Sequence, residues 1–230
     1  MLTGRVGDKI YIVNKKELII IMKVLMINAS PHEKGCTYTA LCEIQKVLNE
    51  EGIDTQIVHI GKAMKHPCVA CMSCVKTKSG KCAFDDDPVN ECAELLRQAD
   101  GFIIGEPVYY GAPASQAQMF MDRLFYSAGS TFAFKPAAAI ASCRRGGLTP
   151  SMDRMNKYFT ISQMPIVASN YWNGVHGNTP EEVLQDLEGL QTMRILGRNM
   201  AWMLKCIDAG KKAGVVCPEQ EKKIRTNFIR

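Results

Sequence analysis

From Lys23 onward, short apolar runs alternate with amphipathic segments of helical period along the chain. This alternation is typical of strand and helix units that build a parallel sheet with helices on both faces. It predicts five strands, at residues 24–28, 55–60, 101–105, 137–141 and 165–168. Helices are predicted at residues 39–51, 115–127 and 151–159, with a further one opening at Asp87 and Pro88 and a long one running from Thr179 to a stop at Gly210. We therefore expect one doubly wound α/β domain.

The composition is that of an ordinary globular protein. Of the 230 residues, 47% are hydrophobic and 22% are charged, which excludes collagen-like, coiled-coil and wholly disordered chains. The net charge of +5 is spread along the chain, so it does not indicate a nucleic-acid partner. The longest apolar stretch, residues 18–27, is broken by Lys23 and is shorter than the roughly 20 residues that span a bilayer. Since no export signal opens the sequence, it predicts a cytoplasmic protein with reduced thiols and no membrane segment.

Residues 1–21 do not share the alternation and form an extension ahead of a domain at residues 22–230. Two interpretations of this extension stay open. Residues 9–13 and 18–21 could pair as a hairpin, or Met22 could be the true start of the protein.

The loop after the first predicted strand has the features of a phosphate site. In an open parallel sheet, ligands bind beyond the carboxyl ends of the strands. Within residues 28–37, the hydroxyls of Ser30 and Thr37 and the backbone N–H groups around Gly35 can surround a phosphate at a helix N-terminus. The loop contains neither GxxxxGK[ST] nor GxGxxG, which weakens both an NTPase and a dinucleotide-fold interpretation. The alternative is a plain polar turn with Thr37 as the helix N-cap.

Two further loops follow the third and fourth predicted strands. Residues 106–115 hold Tyr109 and Tyr110 between prolines and glycines, where the tyrosines can pack against a planar ring. Buried structural tyrosines are the alternative. Residues 142–147 place two arginines beside two glycines, where they can meet an anion or polarise a ring carbonyl, or can simply be surface arginines. No other catalytic constellation stands out, and no catalytic side chain is assigned.

A cysteine cluster lies in the loop at residues 66–86, between the second and third predicted strands. Its spacing is CxxCxxCx7C, formed by Cys68, Cys71, Cys74 and Cys82. Four thiolates at this spacing suit a [4Fe–4S] cluster, which takes four cysteine ligands. A structural zinc site usually shows two separated CxxC pairs and matches less well. Zinc and free or redox-paired thiols stay open as alternatives.

Three motifs in this order resemble one known family. SPHEKGCT resembles the phosphate loop SPRxxGxT, PVYYGAPASQAQMFMDR resembles PVYxGxxSxxxKxFxDR, and CRRGG resembles the RRGG loop of the NADPH-dependent FMN reductase family. The cysteine motif and the ending KKIRTNFIR are similar to those of its iron–sulfur flavoprotein group. Two positions depart from the pattern: His32 stands where arginine is common, and Gln118 replaces the usual lysine.

This resemblance implies a flavodoxin-like, five-stranded parallel sheet of order 2-1-3-4-5 with helices on both faces. It implies an FMN-dependent oxidoreductase, usually a homodimer or homotetramer, that passes electrons from NAD(P)H or a protein donor to a quinone, flavin or protein acceptor. A [4Fe–4S] cluster could take part in that transfer. The alternative is a flavin or iron–sulfur electron carrier or redox sensor without its own NAD(P)H site.

The resemblance also assigns the residues of each site. The expected cluster ligands are the four cysteines of the loop at residues 66–86. The residues expected to bind FMN are Ser30, His32, Gly35, Cys36, Thr37, Pro107, Val108, Tyr109, Tyr110, Gly111, Ser142, Arg144, Gly146 and Gly147. The flavin carries the chemistry, and the protein is expected to bind and orient it.

Overall fold

The computed structural model describes residues 2–6, 9–14, 17–20, 22–226 and 228. Its first three strands form a separate antiparallel sheet of order β1-β2-β3, with bounds β1 (Leu2–Val6), β2 (Lys9–Asn14) and β3 (Glu17–Ile20). Asn14 of β2 pairs with Glu17 of β3. The predicted hairpin extended to Ile21, which lies outside the described residues. The alternative, that Met22 is the true start of the protein, stays a prediction.

The main sheet has five parallel strands in the order β5-β4-β6-β8-β9. Its strands are β4 (Lys23–Asn28), β5 (Asp54–His59), β6 (Gly101–Tyr109), β8 (Ala137–Cys143) and β9 (Gly174–His176). A two-residue strand, β7 (Ala112–Pro113), pairs antiparallel with the end of β6. The predicted doubly wound parallel sheet is confirmed. Numbered from β4 its order is 2-1-3-5-6, which corrects the expected 2-1-3-4-5, because the unpredicted β7 takes the fourth place.

Helices cover both faces of this sheet. The helices of the domain are α1 (Cys36–Glu50), α2 (Ser73–Thr77), α3 (Val89–Gln98), α4 (Ser115–Ala128), α5 (Leu148–Ile161), α6 (Pro180–Val183) and α7 (Leu187–Lys212). Of these, α2 buries no residue and does not pack on the sheet. Alternate residues of β4 point to opposite faces: Leu25 and Ile27 pack with α3, α4 and α5, whereas Val24 and Met26 pack with α1 and α7. Both α1 and α5 begin three residues earlier than predicted. Within the described part of the chain, no helix is both long enough and apolar enough to cross a membrane.

The predicted fifth strand at residues 165–168 is wrong. Ile166 makes only an isolated bridge with Ala137, and the edge strand is β9, which pairs with residues 141–143 of β8. A loop separates the two segments, and within it the side chain of Asn173 donates to the carbonyl oxygen of Ala139 at 3.3 Å. The hydroxyl of Ser169 donates to the Oδ1 atom of Asn173 at 2.7 Å and closes the loop.

The predicted long helix from Thr179 to Gly210 is divided in two. Thr179 caps α6 as expected, since its hydroxyl accepts the N–H of Glu182 at 3.3 Å. A second cap, Asp186, starts α7 by accepting the N–H of Gly189 at 2.9 Å.

Candidate cofactor site

The three predicted binding loops meet at the carboxyl edge of the main sheet. The first and third loops are joined by the hydroxyls of Thr37 and Ser142, which are both buried and lie 2.8 Å apart. The second and third loops touch at two glycines, because a Cβ atom added to Gly147 would lie 2.6 Å from the Cα atom of Gly111. Segments more than 100 residues apart in sequence therefore form one continuous surface.

The first loop follows β4 and leads into α1. Asn28 folds it: its Oδ1 atom accepts the N–H of Ser30 at 3.1 Å, and its Nδ2 atom donates to the carbonyl oxygen of Glu33 at 2.8 Å. The N-cap of α1 is Gly35, which has no side chain to cap the helix, so the N-terminal N–H groups face the loop. Thr37 is therefore not the N-cap; it lies in the first helical turn.

The remaining expected FMN residues of this loop differ in exposure. Ser30 is buried, and its hydroxyl accepts the N–H of His32 at 3.1 Å. The His32 side chain itself is exposed. Cys36 is half-buried, and its thiol donates to the carbonyl oxygen of Gly177 at 3.7 Å. The loop thus presents hydroxyl groups and a helix N-terminus at one place, which is the donor set that a phosphate needs.

The second loop is a tight hairpin and not an irregular segment. β6 continues through Pro107 and Val108 to Tyr109, which pairs with Ala112 of β7. Tyr110 and Gly111 form the turn with φ angles of 51° and 73°, the left-handed conformation of a two-residue type I′ turn. Tyr110 is fully exposed and Tyr109 is 43% exposed, so neither ring belongs to the core. The hairpin therefore offers aromatic surface to a ligand.

The third loop begins at the end of β8. Ser142 and Cys143 are buried, whereas Arg144, Arg145 and Gly146 are exposed. Beyond this loop a cavity of about 310 Å³ reaches toward β9 and the start of α7. Its polar and aromatic lining includes Arg145, Tyr171, Trp172, His176, Asp186 and Thr192.

Glu106, the first residue of the second loop, is a buried acid of β6 to which the sequence assigned no role. It is 0% exposed, and neither carboxylate oxygen has a hydrogen-bond partner among the described residues. Burial raises its pKa to about 8. The backbone N–H of Ala114 lowers this pKa, but by less than burial raises it. Glu106 also raises the pKa of the Cys143 thiol, in addition to the larger effect of burial.

The structure brings the four cysteines of the loop around one small cavity. Cys68, Cys71, Cys74 and Cys82 all line it. Between them, Ala70 and Met72 have φ angles of 51° and 60°, which turn the chain back on itself before α2. Burial raises the pKa of the Cys74 thiol, and the sulfurs of Cys82 and Cys71 raise it further, as expected for thiols that lie close together.

The four thiols of this cavity are the ligands that a [4Fe–4S] cluster takes, but the cavity in this structure is smaller than the cluster. Four thiols around one point are what such a cluster requires. The cavity measures about 20 Å³, room for about one water molecule. Within the described ranges, no three His, Cys, Asp or Glu side chains are arranged to hold a metal ion. Cys68 and Cys71 are exposed, whereas Cys74 and Cys82 are partly buried.

Comparison with known proteins agrees with these features. The family model of NADPH-dependent FMN reductases matches residues 22–179. An iron–sulfur flavoprotein of Methanocaldococcus jannaschii is 32% identical over 197 residues, covering 81% of this chain and 99% of that protein. An iron–sulfur flavoprotein of Methanosarcina thermophila is 28% identical over 195 residues, covering 83% of this chain and 99% of that protein.

A solved structure gives the fold independently. The WrbA-like flavodoxin of Agrobacterium tumefaciens matches with a TM-score of 0.56 at 14% identity, covering 81% of this chain and 98% of that chain. A likeness at this identity shows the flavodoxin-like fold, and the sequence matches show the family. The chain therefore belongs to the NADPH-dependent FMN reductase family and, within it, to the iron–sulfur flavoprotein group.

Proposed function

We propose that this protein is an FMN-dependent oxidoreductase that passes electrons from NAD(P)H or a protein donor to a quinone, flavin or protein acceptor. The observation that carries the proposal is the meeting of three separate loops at the carboxyl edge of the sheet. The hydroxyls of Thr37 and Ser142 join the first loop to the third, and Gly111 and Gly147 join the second to the third. When bound, FMN supplies the redox chemistry, and the protein binds and orients it.

The expected assembly is a homodimer or homotetramer. Light scattering of the FMN-loaded protein measures its mass and decides between them.

The phosphate of FMN is proposed to lie on the first loop. Ser30 and Thr37 provide hydroxyl donors, and the uncapped start of α1 at Gly35 provides N–H groups and a favourable dipole. The ring is proposed to lie against the face that the second and third loops share. The contact between Gly147 and Gly111 fills the space between these loops, so the ring is better placed over them than between them.

The electron donor or acceptor is proposed to enter the cavity beside the third loop. Arg145 provides a cation there, and the exposed rings of Tyr171 and Trp172, whose centroids are 4.7 Å apart, provide an aromatic wall. A ligand with a planar ring and a phosphate, such as a nicotinamide nucleotide, matches both features.

The rival proposal is an electron carrier or redox sensor without its own NAD(P)H site. The surface position of the four cysteines in the loop at residues 66–86 favours it.

Anaerobic stopped-flow mixing of the FMN-loaded protein with NADPH distinguishes these proposals. An oxidoreductase bleaches the flavin absorption with NADPH, and Arg145→Ala slows the bleaching by NADPH more than by NADH. Arg154→Ala is the matched control, since Arg154 is an exposed arginine that does not line the cavity. If the flavin stays oxidised with NADPH while dithionite reduces it at once, the electron-carrier proposal replaces the reductase proposal.

A [4Fe–4S] cluster on Cys68, Cys71, Cys74 and Cys82 is the second part of the proposal. Anaerobic reconstitution should load iron and sulfide into the wild type, and any single Cys→Ala change among these four should remove most of the iron while FMN stays bound. Cys206→Ala, which removes another exposed cysteine, should lose none. Equal iron in the wild type and in the variant with four alanines would count against the cluster, and bound zinc would favour a structural metal site.

A further inference from the structure

Arg123 is a buried cation of α4. It donates hydrogen bonds to the cysteine-rich loop at residues 66–86 and to Asp87, which follows that loop. The Arg123 side chain is 1% exposed. The Nε atom donates to the Sγ atom of Cys82 at 3.2 Å. One Nη atom donates to the carbonyl oxygen of His66 at 3.2 Å and to the carboxylate of Asp87, and the other donates to the carbonyl oxygen of Phe84 at 3.0 Å.

Stability alone does not account for a guanidinium at this place. The Asp87 side chain is 0% exposed and compensates the charge of Arg123. A buried ion pair is often no more stabilising than apolar side chains of similar volume, because both charges lose their hydration. The planar fork of an arginine does, however, hold several acceptors in fixed positions at once. Here those acceptors are two backbone carbonyls of the loop and a cysteine sulfur.

The sulfur that Arg123 contacts is one of the proposed cluster ligands, and Arg123 lines the same cavity as all four. A cluster that accepts an electron gains negative charge on its sulfurs. An N–H donor and a positive charge beside such a sulfur stabilise the electron-rich state and raise the reduction potential. The nearby lysines, Lys76, Lys78 and Lys81, are exposed to water, where screening weakens their effect. The buried guanidinium is screened much less. Asp87 compensates its charge from the Nη side, whereas the Nε–H donor contacts the sulfur, so the positive end of this ion pair faces the proposed cluster.

We propose that Arg123 is a positioning residue, which fixes Cys82 through its Nε–H donor and raises the reduction potential of the cluster. This inference rests on the cluster of the proposed function. Because α4 begins at Ser115, directly after the hairpin of the FMN site, the helix that holds Cys82 is also anchored beside the flavin.

Two substitutions separate the hydrogen bond from the charge. Arg123→Lys keeps a cation opposite Asp87 but loses the planar fork, and Arg123→Met also loses the charge. The matched control is Arg97→Lys. The Arg97 guanidinium also anchors the loop, since it donates to the carbonyl oxygen of Gly80 at 2.6 Å, and its other bond goes to Glu94 and not to a cysteine.

The measurements are the iron and sulfide content and the midpoint potential of the cluster, followed by electron paramagnetic resonance in the reconstituted full chain. We expect both Arg123 variants to shift to lower potential. At the wild-type midpoint, the ratio of reduced to oxidised cluster should fall about tenfold in Arg123→Met, which corresponds to about 59 mV for one electron. The shift in Arg123→Lys should be smaller, and Arg97→Lys should keep the wild-type potential.

The outcomes separate this inference from the function on which it rests. A wild type that takes up no iron overturns both. A loaded wild type together with an unchanged potential in Arg123→Lys overturns the role of Arg123 and leaves the cluster standing. An equal shift in Arg97→Lys also overturns it, because any anchor of the loop would then have the same effect. If Arg123→Met fails to fold, as judged by its FMN content, the comparison of Arg123→Lys with Arg97→Lys decides.

Discussion

Glu106 couples the stability of the protein to pH. Burial raises its pKa from 4.5 to about 8, so between these values the unfolded chain releases a proton that the folded chain retains. Stability from this group is fully present below about pH 4.5 and is lost as the pH rises through about 8. Glu106→Gln should therefore change little near pH 5 and should stabilise the FMN-free protein near pH 9, by an amount on the order of 4 kcal/mol. Urea unfolding at both pH values measures this difference.

The control for this prediction is Glu50→Gln, which makes the same change at an exposed residue near the end of α1. It should leave the pH dependence of the wild type unchanged. A Glu106→Gln variant whose pH dependence follows that of the wild type would contradict the assignment. The sequence did not predict this residue, because an acid after the apolar run at residues 101–105 looks like the end of a strand. The continuing apolar residues Pro107 and Val108 were the available signal, since β6 runs on through them.

At the scale of elements, Asp186 holds the junction between β9 and α7. Its carboxylate accepts the N–H of Gly189 at 2.9 Å and the N–H of His176 at 2.7 Å. Asp186→Ala removes both acceptors and should lower the free energy of unfolding by about 1–2 kcal/mol or slightly more. Thr179→Ala is the comparison, since Thr179 caps a single helical turn with a longer bond of 3.3 Å and should cost less. Urea unfolding of both variants tests this order, and a greater loss in Thr179→Ala would contradict it.

The elements that local sequence patterns predicted correctly are those whose apolar residues are buried in the core. The apolar runs at β4, β6 and β8 and the amphipathic faces of α1 and α4 are all buried as expected. The fifth strand was misplaced because residues 165–168 carry a strand pattern, whereas the loop before β9 depends on the tertiary bond from Asn173 to Ala139. The break before α7 was missed because the apolar periodicity does not reveal that Asp186 caps a second helix.

At the scale of the whole molecule, the place of the three loops followed from a general property of parallel sheets. The carboxyl ends of β4, β6 and β8 share one edge, so their loops were expected to meet. The contacts between them could not be predicted, because they depend on the left-handed turn at Tyr110 and Gly111 and on the close approach of Gly147. The cysteine spacing likewise indicated four thiols suited to one cluster, but it gave no measure of the space between them.

Binding of FMN should stabilise the whole fold, because the ligand needs all three loops in their folded positions. At a free FMN concentration of about 100 times the dissociation constant, the gain is about 2.7 kcal/mol, or roughly 5–10 °C in Tm for a chain of this size. The double variant Ser30→Ala, Thr37→Val removes two proposed phosphate donors, and we expect FMN to bind it about tenfold more weakly. At the same FMN concentration its Tm should then rise only about half as far.

Thermal unfolding with and without FMN measures both gains in Tm. Each gain is taken against the Tm of the same protein without FMN, so that the loss of the Thr37–Ser142 hydrogen bond is not counted as lost binding. Ser130→Ala, at an exposed serine after α4 and outside the three loops, is the control and should keep the wild-type gain. An equal rise in the wild type and in the double variant would show that the phosphate lies elsewhere.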